Sequence, residues 1–550
     1  MPITLTTAFL NELKKNSNQP NVIIEVALDS GTLKWGYSTG GFTDVLPILK
    51  SVSSLQNKLD TESGYSTRGQ LTLVITGRDN FKTLIKDNYL KNRRIARKDG
   101  FVISGFAYSD YAQTFTGRIL DWTRKGDELT ITIGDDLAID AKKKIPVENA
   151  TKTQYLDYRN MNPVDIMQNI LKTQLGISAS LVDDTQFDGE QGNWLNGWVF
   201  DRVLTKPEEA NKYLNELQLE TNSFIIHDGE KITYKVFAPP LPGQTIEEWT
   251  DAYNLLRESF SIESGYKDNF FNRVVLYYDY DESGNDKPEN FETIAIAADA
   301  ASQGASQWAE IKTKEIKSRW IRTRTFTQPT NITGAVLYHV SVANGAGSGT
   351  LTFNYANNTL KWTAPGGAIG AAITLSNDGL YQVYDADQTK YARVIVTKAS
   401  LPVTNQSDTI TLSALNGAAY AAAIAQKILS RYRDPSATVG FDIDINGVAY
   451  NSVFIKPTDL KDLTTDEACN KGSNTWSKER MLLTLVRPDY QASKVHVEAL
   501  QTKMYRRYGF IAPAGYPDYP SASASQKERA FIGNSANKVN GGTEDGYYIW

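Results

Sequence analysis

Short stretches in which apolar and polar residues alternate, separated by polar turns, recur along most of this chain. A period of two commits such stretches to strands with one buried face. Asn21-Val-Ile-Ile-Glu-Val-Ala-Leu reads as the first, and Asp29-Ser-Gly turns it into Thr32-Leu-Lys-Trp-Gly-Tyr. Leu71-Thr-Leu-Val-Ile follows as a buried strand. Phe115-Thr-Gly-Arg-Ile-Leu-Asp-Trp and Leu129-Thr-Ile-Thr-Ile-Gly-Asp-Asp are two more, joined by the turn Arg124-Lys-Gly-Asp. Many short strands with polar turns predict a barrel or sandwich over residues 1–149.

The period then changes. Asn162 can cap a helix with Pro163 at its first position, Val164, Met167, Ile170 and Leu171 on one face, and Gly176 as terminator. Thr205-Lys-Pro-Glu208 reads as a capping box opening a second helix with Ala210, Tyr213, Leu214 and Leu217. A hairpin turning at Asp228-Gly229 follows, so 150–245 is expected to be an α+β module ending at the linker Pro239-Pro240-Leu-Pro242-Gly. Strands return with Phe271-Asn-Arg-Val-Val-Leu-Tyr-Tyr-Asp-Tyr, Ser306-Gln-Trp-Ala-Glu-Ile and Lys317-Ser-Arg-Trp-Ile-Arg. Residues 328–415 then turn poor in charge and rich in Gly, Ala, Thr and Asn. They predict an inserted β-sandwich, Ig-like or carbohydrate-binding-like. A helix over about 416–433, stopped by Pro435, leads back to Thr438-Val-Gly-Phe-Asp-Ile-Asp-Ile and Met481-Leu-Leu-Thr-Leu-Val. The second β-domain is therefore expected to be discontinuous, 246–327 plus 416–508. Residues 509–550 form a Pro/Ser-rich C-terminal docking arm ending in Tyr547, Tyr548 and Trp550. Overall the prediction is a mainly β chain with an α+β module, two β-domains, an inserted sandwich and an extended arm.

Composition narrows the function. With 58 Lys+Arg against 63 Asp+Glu, the net charge of -5 lacks the basic excess of a dedicated nucleic-acid binder. The single Cys469 cannot build a disulfide or a Cys-rich metal site and reads as a small packing residue. No cofactor is expected. The first residues, Met1-Pro-Ile-Thr-Leu-Thr-Thr, lack a signal-peptide pattern, and no apolar run approaches a membrane span. Assembly in a host cytoplasm and release by lysis fits both observations.

Chemistry-bearing constellations are sparse. His227, His339 and His496 fall in three different segments, each within a strand-like stretch, and read as structural. Neither a nucleophile elbow nor a phosphate-binding Gly-Lys-Ser/Thr loop occurs. Asp135-Asp136, Asp183-Asp184 and the acidic turn Asp279, Asp281, Glu282 are candidate carboxylate pairs, though such residues more often make turns and caps. Asp385-Ala-Asp387 lacks the Gly and later Glu of a calcium loop. The basic run Lys91–Lys98 admits two readings: a solvated edge strand, or a partner-docking site through Arg93, Arg94 and Arg97. The aromatic residues Tyr355, Trp362, Tyr381, Tyr384 and Tyr391 are sandwich core or a sugar-stacking surface, with Trp362, Tyr381 and Tyr384 as candidate glycan contacts.

Several segments occur in a familiar order. Ile23-Ile-Glu-Val-Ala-Leu, Leu71-Thr-Leu-Val-Ile, Lys91-Asn-Arg-Arg, Phe115-Thr-Gly-Arg-Ile and Lys142-Lys-Lys-Ile-Pro come first. The Asn162-Pro helix, the Thr205 helix with its hairpin, Asn272-Arg-Val-Val-Leu-Tyr-Tyr and Lys317-Ser-Arg-Trp-Ile follow. Ile428-Leu-Ser-Arg-Tyr-Arg-Asp-Pro435 and the ending Arg529-Ala-Phe-Ile-Gly-Asn to Asp545-Gly-Tyr-Tyr-Ile-Trp550 complete the set. The chain thereby resembles the minor tail or baseplate hub proteins of long-tailed phages and related gene-transfer particles. The resemblance implies a virion protein without enzymatic activity, forming a homotrimeric ring of two barrels per chain. That ring would adapt the sixfold tail tube to a threefold central fibre or spike, touch the distal tail protein and the end of the tape measure protein, and let phage DNA pass in transit. Some lambda-type tip proteins hold an iron–sulfur cluster, which Cys469 alone cannot ligate. Two alternatives remain: a receptor-binding adhesin meeting host surface glycan through the insert, and a tail-associated glycan hydrolase.

Overall fold

In the computed structural model the chain is mainly β, with helices concentrated between its two largest sheets. Residues 5–15, 17–53, 57–60, 65–67, 70–147, 156–204, 206–241, 244–263, 270–280, 287–304, 310–326, 335–342, 350–354, 359–363, 369–374, 379–384, 386, 391–398, 407–432, 436–444, 455–469, 473–489, 494–502, 531–532, 538–539, 544–545 and 547–548 are described.

The first sheet has eight strands, in the order Val45–Leu46, Gly31–Gly36, Pro20–Leu28, Arg94–Phe101, Ala112–Lys125, Glu128–Gly134, Gln70–Thr76 and Leu49–Val52. Its two end strands are neighbours in the chain, separated by Pro47 and Ile48. A sheet so connected has to curl until its ends approach, as the right-handed twist of strands favours. Ile24, Val26, Trp35, Leu71, Leu73, Ile75, Ile95, Phe115, Ile131 and Ile133 fill one core cluster. Ile23, on the opposite face of its strand from Ile24, belongs to another core, which explains a strand buried on both sides.

The second large sheet repeats the plan. Its main path runs Glu248–Thr250, Leu460–Thr465, Trp476–Asp489, Lys494–Gln501, Thr438–Asp444 and Leu255–Glu263. Again the end strands, Glu248–Thr250 and Leu255–Glu263, are near neighbours in sequence. The remaining two strands come from the first part of the chain. Asn57–Asp60 pairs with Trp476–Asp489 at Lys58↔Leu485, and Tyr65–Thr67 pairs with Asn57–Asp60. Leu59 is buried with Phe224, Ile226, Phe237 and Leu482, so this excursion stitches the two large sheets together. A second bond between them is the helix Thr7–Leu13, capped by the Thr6 hydroxyl, which accepts from the Phe9 N–H at 3.2 Å. Its Leu5-Phe9-Leu13 stripe shares a core with Phe101 and Tyr111 of the first unit and Val439, Phe441, Val495 and Val497 of the second.

Between the large sheets, Asn162 caps the helix Pro163–Asn169. Its side-chain oxygen accepts from Val164 N–H at 2.9 Å, and its amide donates to the carbonyls of Leu195 and Trp198. Gly176, at φ +72°, ends the helical run. The second helix starts later than expected. Glu208–Glu209 is a short strand paired with Lys144–Ile145, so the backbone of the expected capping box is committed to a sheet; the helix is Ala210–Thr221. Thr205 lies outside the described residues. The hairpin Ser223–His227/Ile232–Val236 turns as expected, with Asp228 Oδ1 accepting from the N–H groups of Glu230 and Lys231.

The main central core cuts across the expected boundary at 245. Val274, Leu276, Tyr278 and Ile316 of a three-stranded sheet, and Ile424, Ile428 and Leu429 of the helix Gly417–Tyr432, pack with Met167, Phe187, Leu214, Leu217 and Tyr234. The physical reason is that this sheet, ordered Phe291–Ala298, Arg273–Tyr280, Thr313–Lys317, can bury only its inner face, and helices supply the cover. From Arg324 to Ala414 the insert forms two sheets. One is five-stranded, from Arg324–Phe326 through Ser407–Ala414, Thr350–Asn354 and Thr359–Thr363 to Ile373–Thr374. The other is three-stranded, Ala335–Val342, Tyr391–Lys398 and Gly379–Tyr384. Near the end of the chain Phe531–Ile532 pairs with Tyr547–Tyr548.

Candidate functional site

The basic run is not an edge strand. Arg94–Phe101 lies inside the first sheet, hydrogen-bonded to Pro20–Leu28 on one side and Ala112–Lys125 on the other. The preceding turn holds Asn92 at φ +67°, and the strand it leads into lies three strands in from the nearer edge of the sheet. Its cations are spent largely within the chain. Arg93 forks onto both oxygens of Asp29, and the exposed Asp29 carboxyl is held below its ordinary range by that bond. Arg94 bonds the buried Asp136 at 3.1 Å, and Arg118 joins the same carboxylate at 2.8 Å while also reaching Asp140. Arg97 clamps the buried Asp99 through Nε and Nη2 and donates to the Ser53 carbonyl at 3.2 Å. Arg94 alone of the three keeps about half its side chain, 48%, in solvent.

Arg97 and Asp99 line a cavity of about 360 Å³ where the two large sheets meet. Phe9 of the first helix, Tyr37, and Arg487 and Asp489 of the second sheet complete its wall. The Tyr37 hydroxyl accepts from Val52 N–H at 2.9 Å, and burial pushes its phenol pKa up. Arg487 stands opposite His496 in the strand register, and His496 stands opposite Asp442, so three polar residues form a row across three strands. His496 Nδ1 lies 2.7 Å from Asp442 Oδ1, and Lys494 Nζ lies 2.7 Å from Asp442 Oδ2. Burial pulls the Asp442 pKa up, but the bonds and charges of Lys494 and His496 outweigh it and hold the carboxyl low. This is a carboxylate-oriented imidazole, yet no hydroxyl or thiol is hydrogen-bonded to His496 among the described residues. Nucleophilic chemistry needs that third group.

The other candidate groups have structural employment. His227 Nδ1 accepts from Gly229 N–H at 3.1 Å, which ties the hairpin turn and leaves Nε2, 3.3 Å from Thr116 Oγ1, as the protonated nitrogen. His339 lies in a strand of the insert. Asp183 caps the helix Asp184–Trp194, and Asp184 pairs with Lys172. Asp279, buried and at φ +57°, accepts from the N–H and hydroxyl of Thr323 and from the Thr293 hydroxyl. Asp281, Glu282, Asp385 and Asp387 lie outside the described residues. Among the described residues no group of three or more His, Cys, Asp and Glu is placed to hold a metal ion, and no helix is long and apolar enough to cross a membrane.

Of the candidate glycan contacts, Trp362 is fully buried. Its strand alternates, and Leu360 and Trp362 face inward, so it is sandwich core. Tyr384 is exposed at 41%, and Tyr381 lies on the same strand, its side chain outside the described residues. Tyr547 and Tyr548 are paired to Phe531–Ile532, and Trp550 is outside the described residues. Cys469, expected to pack, is exposed, because it follows the strand Leu460–Thr465 on the surface while Ala468 takes the buried position. One functional arrangement had no clear sequence signal. The insert's two ends meet at Arg324↔Ala414, and directly below them Leu415 N–H donates to the Thr323 carbonyl, while Asp279 holds Thr323. Gly417 packs where any Cβ would overlap the Arg322 carbonyl. The acidic turn was visible in the sequence, but not that Asp279 would hold the residue at the foot of the insert.

No protein-family model matches the chain, and no curated protein matches it. Among solved structures it is similar to the 43 kDa tail protein of prophage MuSo2 from Shewanella oneidensis, at 9% identity over 88% of this chain and 99% of that one, with TM-score 0.42. It is also similar to a chain of the virion of a native gene transfer agent particle, at 9% identity over 28% of this chain and 59% of that one, with TM-score 0.20. At such TM-scores neither likeness carries an argument, and what the chain does has to be read from its own residues.

Proposed function

We propose that this protein is a non-enzymatic structural component of a phage tail tip, a hub whose three copies close a ring. The observation that carries the reading is the tandem of two large curled sheets in one chain, stitched by the Asn57–Asp60 strand and the Thr7–Leu13 helix. Three such chains present six similar units around an axis, which matches a sixfold tube on one side and a threefold fibre or spike on the other. The distal tail protein and the end of the tape measure protein are the neighbours this placement implies, with DNA passing through the ring. The ordered motifs from Ile23 to Trp550 support the same reading. So does the commitment of Asp136 to ion pairs, of Asp183 to a helix cap and of Asp279 to hydrogen bonds from Thr323 and Thr293. Cryo-electron microscopy of the intact particle tests it. Three copies encircling the tip are expected; absence from the tip, or six copies along the tube, overturns it.

A second reading, an adhesin acting through the insert, has one observation in its favour: Tyr384 is exposed on a sheet face. The burial of Trp362 removes the strongest sugar-stacking candidate from that surface.

A further inference from the structure

Asparagine is followed by glycine at five places in this chain, after Asn196, Asn344, Asn416, Asn446 and Asn540. In such a pair the glycine nitrogen can attack the asparagine side-chain carbonyl carbon, and no Cβ on the glycine stands in its way. The fold decides which pairs do so, because the backbone has to rotate until the two atoms meet. The pairs at Asn344, Asn446 and Asn540 lie outside the described residues, which leaves two to compare.

Asn416-Gly417 opens the helix Gly417–Tyr432. The Asn416 carbonyl accepts from Tyr420 N–H at 3.0 Å, and Gly417 is buried against the Arg322 carbonyl, which would lie 2.0 Å from any added Cβ. Rotating the backbone there means unwinding the first helical turn. Asn196-Gly197 is placed in the opposite way. Both residues are exposed, at the centre of a β-turn closed by Trp198 N–H, which donates to the Leu195 carbonyl at 3.1 Å. Gly197, at φ +74°, takes the third position, where a type II turn calls for glycine, and a side chain added there would meet nothing within 4 Å. Neither the Asn196 amide nor the Gly197 N–H makes a hydrogen bond among the described residues.

We propose that Asn196 is a site of spontaneous deamidation, and that the change loosens a brace between the central helices. The Gly197 nitrogen gives up its proton and bonds to Asn196 Cγ. The Cγ–Nδ2 bond breaks, ammonia leaves with the proton, and a succinimide ring remains. Water then opens the ring at either carbonyl, giving aspartate or, with the chain rerouted through Cβ, isoaspartate. The turn is well tied on its carbonyl side. The Asn162 amide donates to the carbonyls of Leu195 at 2.8 Å and Trp198 at 3.1 Å, and the Tyr420 hydroxyl donates to the Gly197 carbonyl at 2.6 Å. The rings of Trp198 and Tyr420 stack 5.0 Å apart, and Lys427 Nζ lies 5.0 Å over the Trp198 ring. These bonds join the start of Pro163–Asn169 to the helix beneath the insert. Isoaspartate lengthens the backbone inside the turn and so displaces the carbonyls that make the joint.

The test uses the full chain, aged in mildly alkaline buffer, with a second sample aged in urea and peptides mapped by mass spectrometry at intervals. In the native protein the Asn196 peptide is expected to gain the mass of an amide-to-acid exchange at least about 10-fold faster than the Asn416 peptide, which has to open locally first. In urea the two rates should converge. Equal native rates, faster conversion at Asn416, or no conversion at Asn196 overturns the site. Asn196→Ser, which cannot form the ring, separates the site from its effect. Aged wild type is expected to melt below fresh wild type, while aged Asn196→Ser keeps the Tm it had when fresh. An unchanged Tm in wild type converted at Asn196 overturns the brace, as does an equal fall in aged Asn196→Ser. None of these outcomes bears on the tail-tip reading.

Discussion

Glu220 lies fully buried on the helix Ala210–Thr221, where the Ser318 hydroxyl donates to it at 2.6 Å. Burial raises its pKa well above the ordinary 4.5, against the smaller opposing pull of Ser318 and of Arg202 and Arg322. The folded state therefore holds a proton that the unfolded chain releases between the two pKa values, and stability falls as pH rises through that window. Glu220→Gln keeps the neutral form at every pH and still accepts from Ser318. Its Tm is expected to exceed that of wild type at about pH 7 and to converge with it as the pH is lowered toward about 4. A Tm difference that does not change with pH would show that this carboxyl is not the source. Cys469 gives a simpler expectation. As an exposed thiol it should react stoichiometrically with a thiol reagent in the native protein, without denaturant; a label taken up only after unfolding would contradict its placement. Single residues were legible in sequence where their role is local. Asn162-Pro163 and Asp228-Gly229 act through neighbours two or three positions away. Cys469 and the Thr205 capping box were not, because burial and strand pairing are decided by residues far along the chain.

At the scale of elements, alternation identified most of the strands but not their neighbours. Lys91–Lys98 carries the charges of an edge yet occupies an interior position, because Asp29, Asp99 and Asp136 neutralise it from other elements. The Asn57–Asp60 strand had no signal at all: four residues carry too little pattern, and its partner lies more than 400 positions away. Its importance can be measured. Leu59→Ala removes a buried side chain at the stitch and is expected to cost about 2–5 kcal/mol in urea unfolding, whereas Leu46→Ala, at a position 42% exposed, should cost less than about 0.5 kcal/mol. Equal effects would mean that the stitch is incidental. The clamp beneath the insert has its own probe. Gly417→Ala forces a methyl group against the Arg322 carbonyl and should destabilise by about 1–3 kcal/mol, although alanine is the better helix former.

For the whole molecule, the question is whether the insert is part of the machine or cargo carried by it. Its first and last strands run side by side, Arg324↔Ala414 through Phe326↔Leu412, so its two ends leave the body at one point. Below that point Thr323, Asp279, Leu415 and Gly417 lock the stalk to the central core without using any residue of the insert's interior. Closing the gap between Phe326 and Leu412 with a short Gly-containing turn should therefore preserve the paired stalk and everything beneath it. The shortened chain is expected to keep the oligomeric state of wild type and a Tm within a few degrees of it, roughly the shift of a perturbation below about 1 kcal/mol. Failure to fold would show that the sandwich completes the core. In the particle the same deletion separates the two functional readings. Intact tails that no longer adsorb place receptor contact on the insert, and Tyr384→Ala should then reproduce part of the loss. Intact tails that adsorb normally place it elsewhere, and aborted tails make the insert structural.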